Sequence, residues 1–112
     1  PTVLSNVRPG TPAADEELFG PVAALIPFKN DAEAIAIANG TPFGLGASLW
    51  SGDTERVRRW LPDLDAGSVF VNGMVKSDPR LPFGGVKASG FGRELAREGL
   101  LEFVNAKTVW LR

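Results

Sequence analysis

Cysteine and histidine are both missing from the 112 residues. Without cysteine the chain can form no disulfide, offer no thiolate nucleophile and build no zinc ribbon. Without histidine it lacks the commonest general base and metal ligand. Neither sign of charge is in surplus: twelve basic and thirteen acidic residues leave a net −1. No positive field is available to hold a phosphate backbone, so nucleic acid is not an expected partner. No apolar run approaches the ~20 residues of a membrane span. The polar start Pro1-Thr2-Val3-Leu4-Ser5 does not read as a signal peptide. A cytoplasmic protein without membrane contact is the expectation. What remains is ordinary for one globular domain with a modest core, 44% hydrophobic and 22% charged.

No internal repeat or low-complexity tract interrupts the chain. Pro1 to Ser5 reads as a short strand, and Pro9 to Glu17 as a Pro-, Ala- and acid-rich connector with one helical turn. Val22 to Phe28 is a nearly continuous apolar run, the pattern of a strand covered on both faces of a parallel sheet. Asp31 fits an N-cap for a helix with an Ala34, Ile35, Ile37, Ala38 stripe that stops before Gly40. Gly46 to Trp50 is the next strand. Asp53 or Thr54 opens a second helix to about Leu61, with Arg56, Arg58 and Arg59 on its solvent face and Pro62 after its end. Ser68 to Val71 follows as a strand closing at Asn72. This rhythm predicts an α/β fold of parallel-sheet βαβ segments. Gly73 to Gly92 breaks it with a long Gly- and Pro-rich loop, a length that is commonly functional. A helix from Arg93 to about Asn105 and an apolar strand from Lys107 to Leu111 complete the prediction. A terminal strand of this kind presents an edge that pairs with something, often another subunit.

Glu17 and Phe19 stand two apart just ahead of a strand. In extended chain they point to the same side, a carboxylate beside a ring. A carboxylate accepts two hydrogen bonds from a vicinal diol, and a ring holds a flat heterocycle by its face. On spacing alone, a solvated acidic face and a core phenylalanine are the better reading of the pair. The run Phe83-Gly84-Gly85-Val86-Lys87-Ala88-Ser89-Gly90-Phe91-Gly92 is not a phosphate loop, because no Lys-Ser/Thr pair stands at the required distance. Gly90-Phe91-Gly92 has neither the third glycine nor the preceding strand of a dinucleotide fingerprint. Gly46-Ala47-Ser48-Leu49-Trp50 puts Trp where a nucleophile elbow needs Gly, and no histidine exists to serve it. Asp15, Glu16 and Glu17 lack the Gly-turned loop of a hard-cation site. No catalytic residue and no metal ligand is expected.

Four motifs carry a resemblance when taken in register: Glu17-x-Phe19-Gly20-Pro21-Val22, then Ala36-Ile37-Ala38-Asn39 with Phe43-Gly44-Leu45, then Gly67-Ser68-Val69-Phe70-Val71-Asn72, and Pro82-Phe83-Gly84-Gly85-x-Lys87-x-Ser89-Gly90-x-Gly92-Arg93-Glu94. Over almost its full length the chain resembles the C-terminal part of the NAD(P)-dependent aldehyde dehydrogenases. The resemblance implies that residues 1–105 belong to the catalytic domain and 106–112 form an oligomerisation arm strand, giving a homo-oligomer. It implies that Glu17 bonds the ribose hydroxyls beside the nicotinamide of NAD or NADP, and that Phe19 packs near the ring. Phe83 would line the aldehyde access channel, and Asn72 would be a structural residue at a strand end. The stretch Asn72 to Phe83 looks like the succinate-semialdehyde branch, where Ser77 would help bind the distal carboxylate of a small aldehyde substrate. The alternative at Ser77 is a simple turn cap with Asp78-Pro79.

The family's cysteine nucleophile and glutamate base are expected upstream of these residues. In the family mechanism a thiolate attacks the aldehyde, hydride passes to nicotinamide, and activated water hydrolyses the thioester. This chain offers walls and ribose contacts to that scheme. Alone it is expected to bind cofactor weakly or not at all, and to turn over no aldehyde. The alternative is a non-catalytic interaction or nucleotide-binding module derived from the family.

Overall fold

Pairing decides which of the predicted strands exist. A computed structural model describes all 112 residues, Pro1–Arg112. Strand β1 (Thr2–Leu4) pairs in parallel with β2 (Val22–Ala24), joined through the short helix α1 (Pro12–Asp15). Helix α2 (Asp31–Asn39) follows, then β3 (Ala47–Leu49), α3 (Thr54–Trp60) with a 3₁₀ turn at Leu61–Asp63, and β4 (Val69–Val71). The ladder β3–β4 is also parallel, with Ala47 opposite Val69 and Leu49 opposite Val71. The βαβ rhythm is therefore real, but it builds two separate two-stranded sheets rather than one. Strand β2 stops at Ala24 instead of running to Phe28. The ladder is interrupted at Asn6, whose φ is +54°, and after one more bond, from Val7 N–H to the Leu25 carbonyl at 3.1 Å, Pro27 has no N–H to continue it.

The helix starts follow capping chemistry. The cap of α2 is Asn30 rather than Asp31, since Asn30 Oδ1 accepts the Glu33 N–H at 3.0 Å. Glu33 returns the favour by accepting the Lys29 N–H at 2.6 Å. Asp31 is thereby released for another task. It accepts from the Nε of Arg56 at 3.0 Å and from the indole N–H of Trp60 at 3.1 Å, and it pairs with the Arg56 Nη2. Arg56, expected to face only solvent, ties α3 to the start of α2 and lies 5.3 Å over the Trp60 ring. These bonds, led by Arg56, hold the Asp31 carboxyl below the usual carboxylate range. Asp53 Oδ1 caps α3 by accepting the Arg56 N–H at 2.9 Å.

Past β4 the structure departs furthest from expectation. Helix α4 spans only Ala96–Leu101, not 93–105. Glu94 is spent on an antiparallel bridge with Phe83, and Leu95 (φ +64°) and Ala96 (φ +50°) are left-handed, so the helix cannot start earlier. The loop 73–92 is not featureless either, for it holds that bridge and a 3₁₀ turn at Lys87–Ser89. Residues 107–111 form no ladder within the chain, and Val109, Trp110 and Leu111 are exposed. A strand is defined by its partner, and within this chain none is present.

Only five residues are buried, with Val57 and Leu64 the apolar ones. The accessible surface of 8760 Å² compares with roughly 6,000 Å² for a compact chain of this mass. The radius of gyration of 17.6 Å compares with about 13 Å. Packing is instead set by close backbone approach. A Cβ on Gly67 would lie 1.8 Å from the Gly84 carbonyl oxygen, and one on Gly44 would lie 2.7 Å from that of Asp65. Gly67→Ala is expected to destabilise the chain by about 3 kcal/mol, read as a fall in the urea midpoint. Ala96→Gly removes left-handed strain and is expected to stabilise the chain by up to about 1 kcal/mol, read as a rise in that midpoint.

Candidate functional site

The loop 73–94 is placed by β4 at one end and by Gly44 in its middle. Asn72 ends β4 with φ +53°. Its amide closes a reciprocal pair with Ser51, accepting the Ser51 N–H at 2.9 Å and donating to the Ser51 carbonyl at 3.0 Å. The expected structural role of Asn72 at a strand end is thus seen in its geometry, because those bonds join the ends of β3 and β4. Gly44 is a three-way node. Its carbonyl accepts from Gly67 at 2.9 Å and Val86 at 3.0 Å, and its N–H donates to Ser89 Oγ at 3.0 Å.

Phe83 sits at the base of the loop. Its N–H donates to the Glu94 carbonyl at 2.9 Å, and its carbonyl accepts from the Glu94 N–H at 2.8 Å. The side chain borders two clefts. One, of about 430 Å³, lies between β4 and the segment carrying Lys76, Asp78, Leu81 and Pro82. The other, of about 360 Å³, is lined by Gly84, Gly85, Phe91, Arg93 and Glu102 among others. Phe83 is the residue that the two linings share. Ser77 does not line either cleft. It is exposed, and its hydroxyl has no protein partner. The turn it was weighed as capping is held by Asp78 instead, whose carbonyl accepts from Leu81 at 3.0 Å and whose Oδ1 accepts the Arg80 N–H at 2.9 Å.

Asp78 also grips the Arg80 guanidinium at 2.9 and 2.7 Å. The Arg80 side chain, then its backbone N–H, pull the Asp78 carboxyl down to about 2. The Arg80–Asp78 pair is internally neutral, so of the two cations near this end of the first cleft only Lys76 stays uncommitted.

Glu17 and Phe19 lie elsewhere, on the stretch between α1 and β2, and border neither cleft beside Phe83. The extended geometry that would align them is interrupted, because Phe19 has φ +41°. Its ring is 92% exposed. The Glu17 carboxylate makes no ion pair and accepts no hydrogen bond from the protein, so both groups are open to a ligand. Ser48 lies inside β3, hydrogen-bonding register and all, where no nucleophile elbow can form.

A profile of the aldehyde dehydrogenase family matches residues 1–109. The chain belongs to that family. A Synechocystis protein described as a probable succinate-semialdehyde dehydrogenase specified for NADP(+) is 58% identical over 111 residues, 99% of this chain and 24% of its own length. Among solved structures, a Mycobacterium tuberculosis aldehyde dehydrogenase complexed with NAD+ superposes with a TM-score of 0.91 at 39% identity, over 98% of this chain and 23% of that one. The succinic semialdehyde dehydrogenase from Streptococcus pyogenes, in complex with NADP+, gives 0.90 at 34%, over 97% and 24%. The chain spans about a quarter of the length of these relatives. Its α/β architecture with parallel strands is that of aldehyde dehydrogenase structures. No helix in it is long and apolar enough to cross a membrane.

Lys87, Ser89 and Arg93 are the residues whose work the motif reading did not assign. Lys87 Nζ reaches the carbonyls of Asn39 and Thr41, and Arg93 Nη1 reaches those of Gly85 and Gly92. Their signal in the sequence was polar residues set among glycines, which spacing cannot pair with distant carbonyls. The depressed Asp78 carboxyl gives a pH test. Its folded value lies below the ordinary value near 4, so its stabilisation is present above about pH 4 and lost as pH falls towards 2. The difference in urea midpoint between the natural chain and Asp78→Asn is expected to shrink across that window.

Proposed function

We propose that this chain forms part of an NAD(P)-dependent aldehyde dehydrogenase that oxidises succinate semialdehyde to succinate, in a cytoplasmic setting. The observation that carries the reading is the 58% identity to the Synechocystis protein over nearly the whole chain. The Streptococcus pyogenes likeness supports the family.

In this reading Glu17 accepts two hydrogen bonds from the ribose diol, a task suited to a carboxylate with no protein partner. Phe19 offers an open ring face to the nicotinamide. The bound cofactor supplies the hydride acceptor. Phe83 walls the aldehyde channel, and Ser77 donates its free hydroxyl to the distal carboxylate of the substrate. Nucleophile and base come from other residues of the enzyme, since these 112 include no cysteine. Residues 1–105 act as part of the catalytic domain, and 106–112 as an arm whose exposed Val109, Trp110 and Leu111 gain a strand partner in a homo-oligomer.

Steady-state oxidation of succinate semialdehyde by the enzyme carrying these residues, with NAD(+) and NADP(+) supplied in turn, tests the reading. Glu17→Ala is expected to raise the cofactor KM about tenfold, and Ser77→Ala the succinate-semialdehyde KM by a similar factor while sparing butanal. The 112-residue chain by itself is expected to show no turnover. An enzyme that oxidises butanal as well as succinate semialdehyde, with Ser77→Ala neutral for both, would sink the substrate assignment.

A further inference from the structure

The loop from Phe83 to Glu94 is closed on itself. The Phe83–Glu94 bridge joins its ends, and Arg93 Nη1 fastens its interior by donating to Gly85 at 2.9 Å and Gly92 at 2.6 Å. How this closed unit sits on the rest of the chain is decided at Val86 to Ser89. There, backbone and hydroxyl bonds reach Gly44 and Pro42. One side chain adds charge to this seam. Lys87 Nζ donates to the Asn39 carbonyl at 2.9 Å and the Thr41 carbonyl at 3.3 Å, and stands 3.4 Å from Asp65 Oδ2.

The chemistry of that contact is specific. Helix α2 ends at Asn39 with no basic residue in its own last turn. Its final carbonyls carry the negative end of the helix dipole, which favours a cation. Lys87 supplies that cation from 48 residues away in sequence. It does so from a left-handed backbone, φ +55°, a conformation that L-residues rarely adopt. Asn39 in turn fixes the Asp63–Asp65 turn, donating to Asp63 at 2.7 Å and accepting from Asp65 at 2.9 Å. The ammonium therefore reads two segments at once, the end of α2 and the approach to β4.

We propose that Lys87 is a positioning residue for the Phe83 wall: its ammonium tether to Asn39, Thr41 and Asp65 sets where the closed loop, and with it the substrate channel, lies against β4. The inference rests on the dehydrogenase reading above for its kinetic consequence, but not for the tether itself. In the active enzyme carrying this chain, Lys87→Met is expected to raise the aldehyde KM about fivefold to tenfold with kcat within about twofold. Lys87→Arg, which keeps the charge, restores KM to within about twofold. Amide exchange at Ala88 and Gly90 speeds up in Lys87→Met and not in Lys87→Arg. Should Lys87→Met not fold, Asp65→Asn removes one partner of the tether and is expected to shift KM in the same direction by about twofold to threefold. An active enzyme in which these variants leave KM and exchange unchanged overturns the proposal. An unsubstituted enzyme that oxidises no aldehyde overturns the dehydrogenase reading instead, and the exchange rates alone then decide the tether.

Discussion

Close approach at Gly44 is the constraint on which the rest of this structure depends. Two segments meet its backbone, one through Gly67 ahead of β4 and one through Val86 and Ser89. A side chain at Gly44 would intrude on this meeting point, since an added Cβ would lie 2.7 Å from both the Asp65 carbonyl oxygen and a Val86 methyl carbon. With so little apolar surface buried, directional backbone bonds take over the work that a core does in a compact domain. Such bonds hold only at short range, so the positions of the segments are tightly coupled to that one glycine.

Much of this was legible beforehand, and the reason is local. The helix cap at Asp53, the break at Pro62 and the strands around Ala47 and Val69 all follow from residues within a few positions of each other. The family motifs were equally readable because they are contiguous. Asp31 was read as the cap of α2, but Asn30 takes that place and Asp31 bonds Arg56, a partner 25 residues on that no local pattern announces. The single sheet expected from the βαβ rhythm did not form because rhythm counts strands and says nothing of which edges meet. The overlong last helix has a similar origin. Leu95 and Ala96 are good helix formers, and nothing in their neighbours announces that Glu94 will be drawn to Phe83.

The candidate site divides along the same line. Glu17, Phe19, Ser77 and Phe83 were named from motifs, and in the structure the first three are exposed while Phe83 is half-buried in the lining of two clefts. Lys87 and Arg93 could not be assigned that way, because their partners are carbonyl oxygens, which every residue has. Backbone acceptors are invisible to pattern reading, however clear they become once the chain is folded.

The placement of Phe83 between two clefts has a consequence for how this surface can change. One residue is common to both linings, so a change there alters both clefts at once. A smaller residue there would enlarge both, while the backbone bridge to Glu94 would still hold its position. Selection on either compartment is then felt by its neighbour, and adaptation to a bulkier ligand would have to proceed around this ring rather than through it.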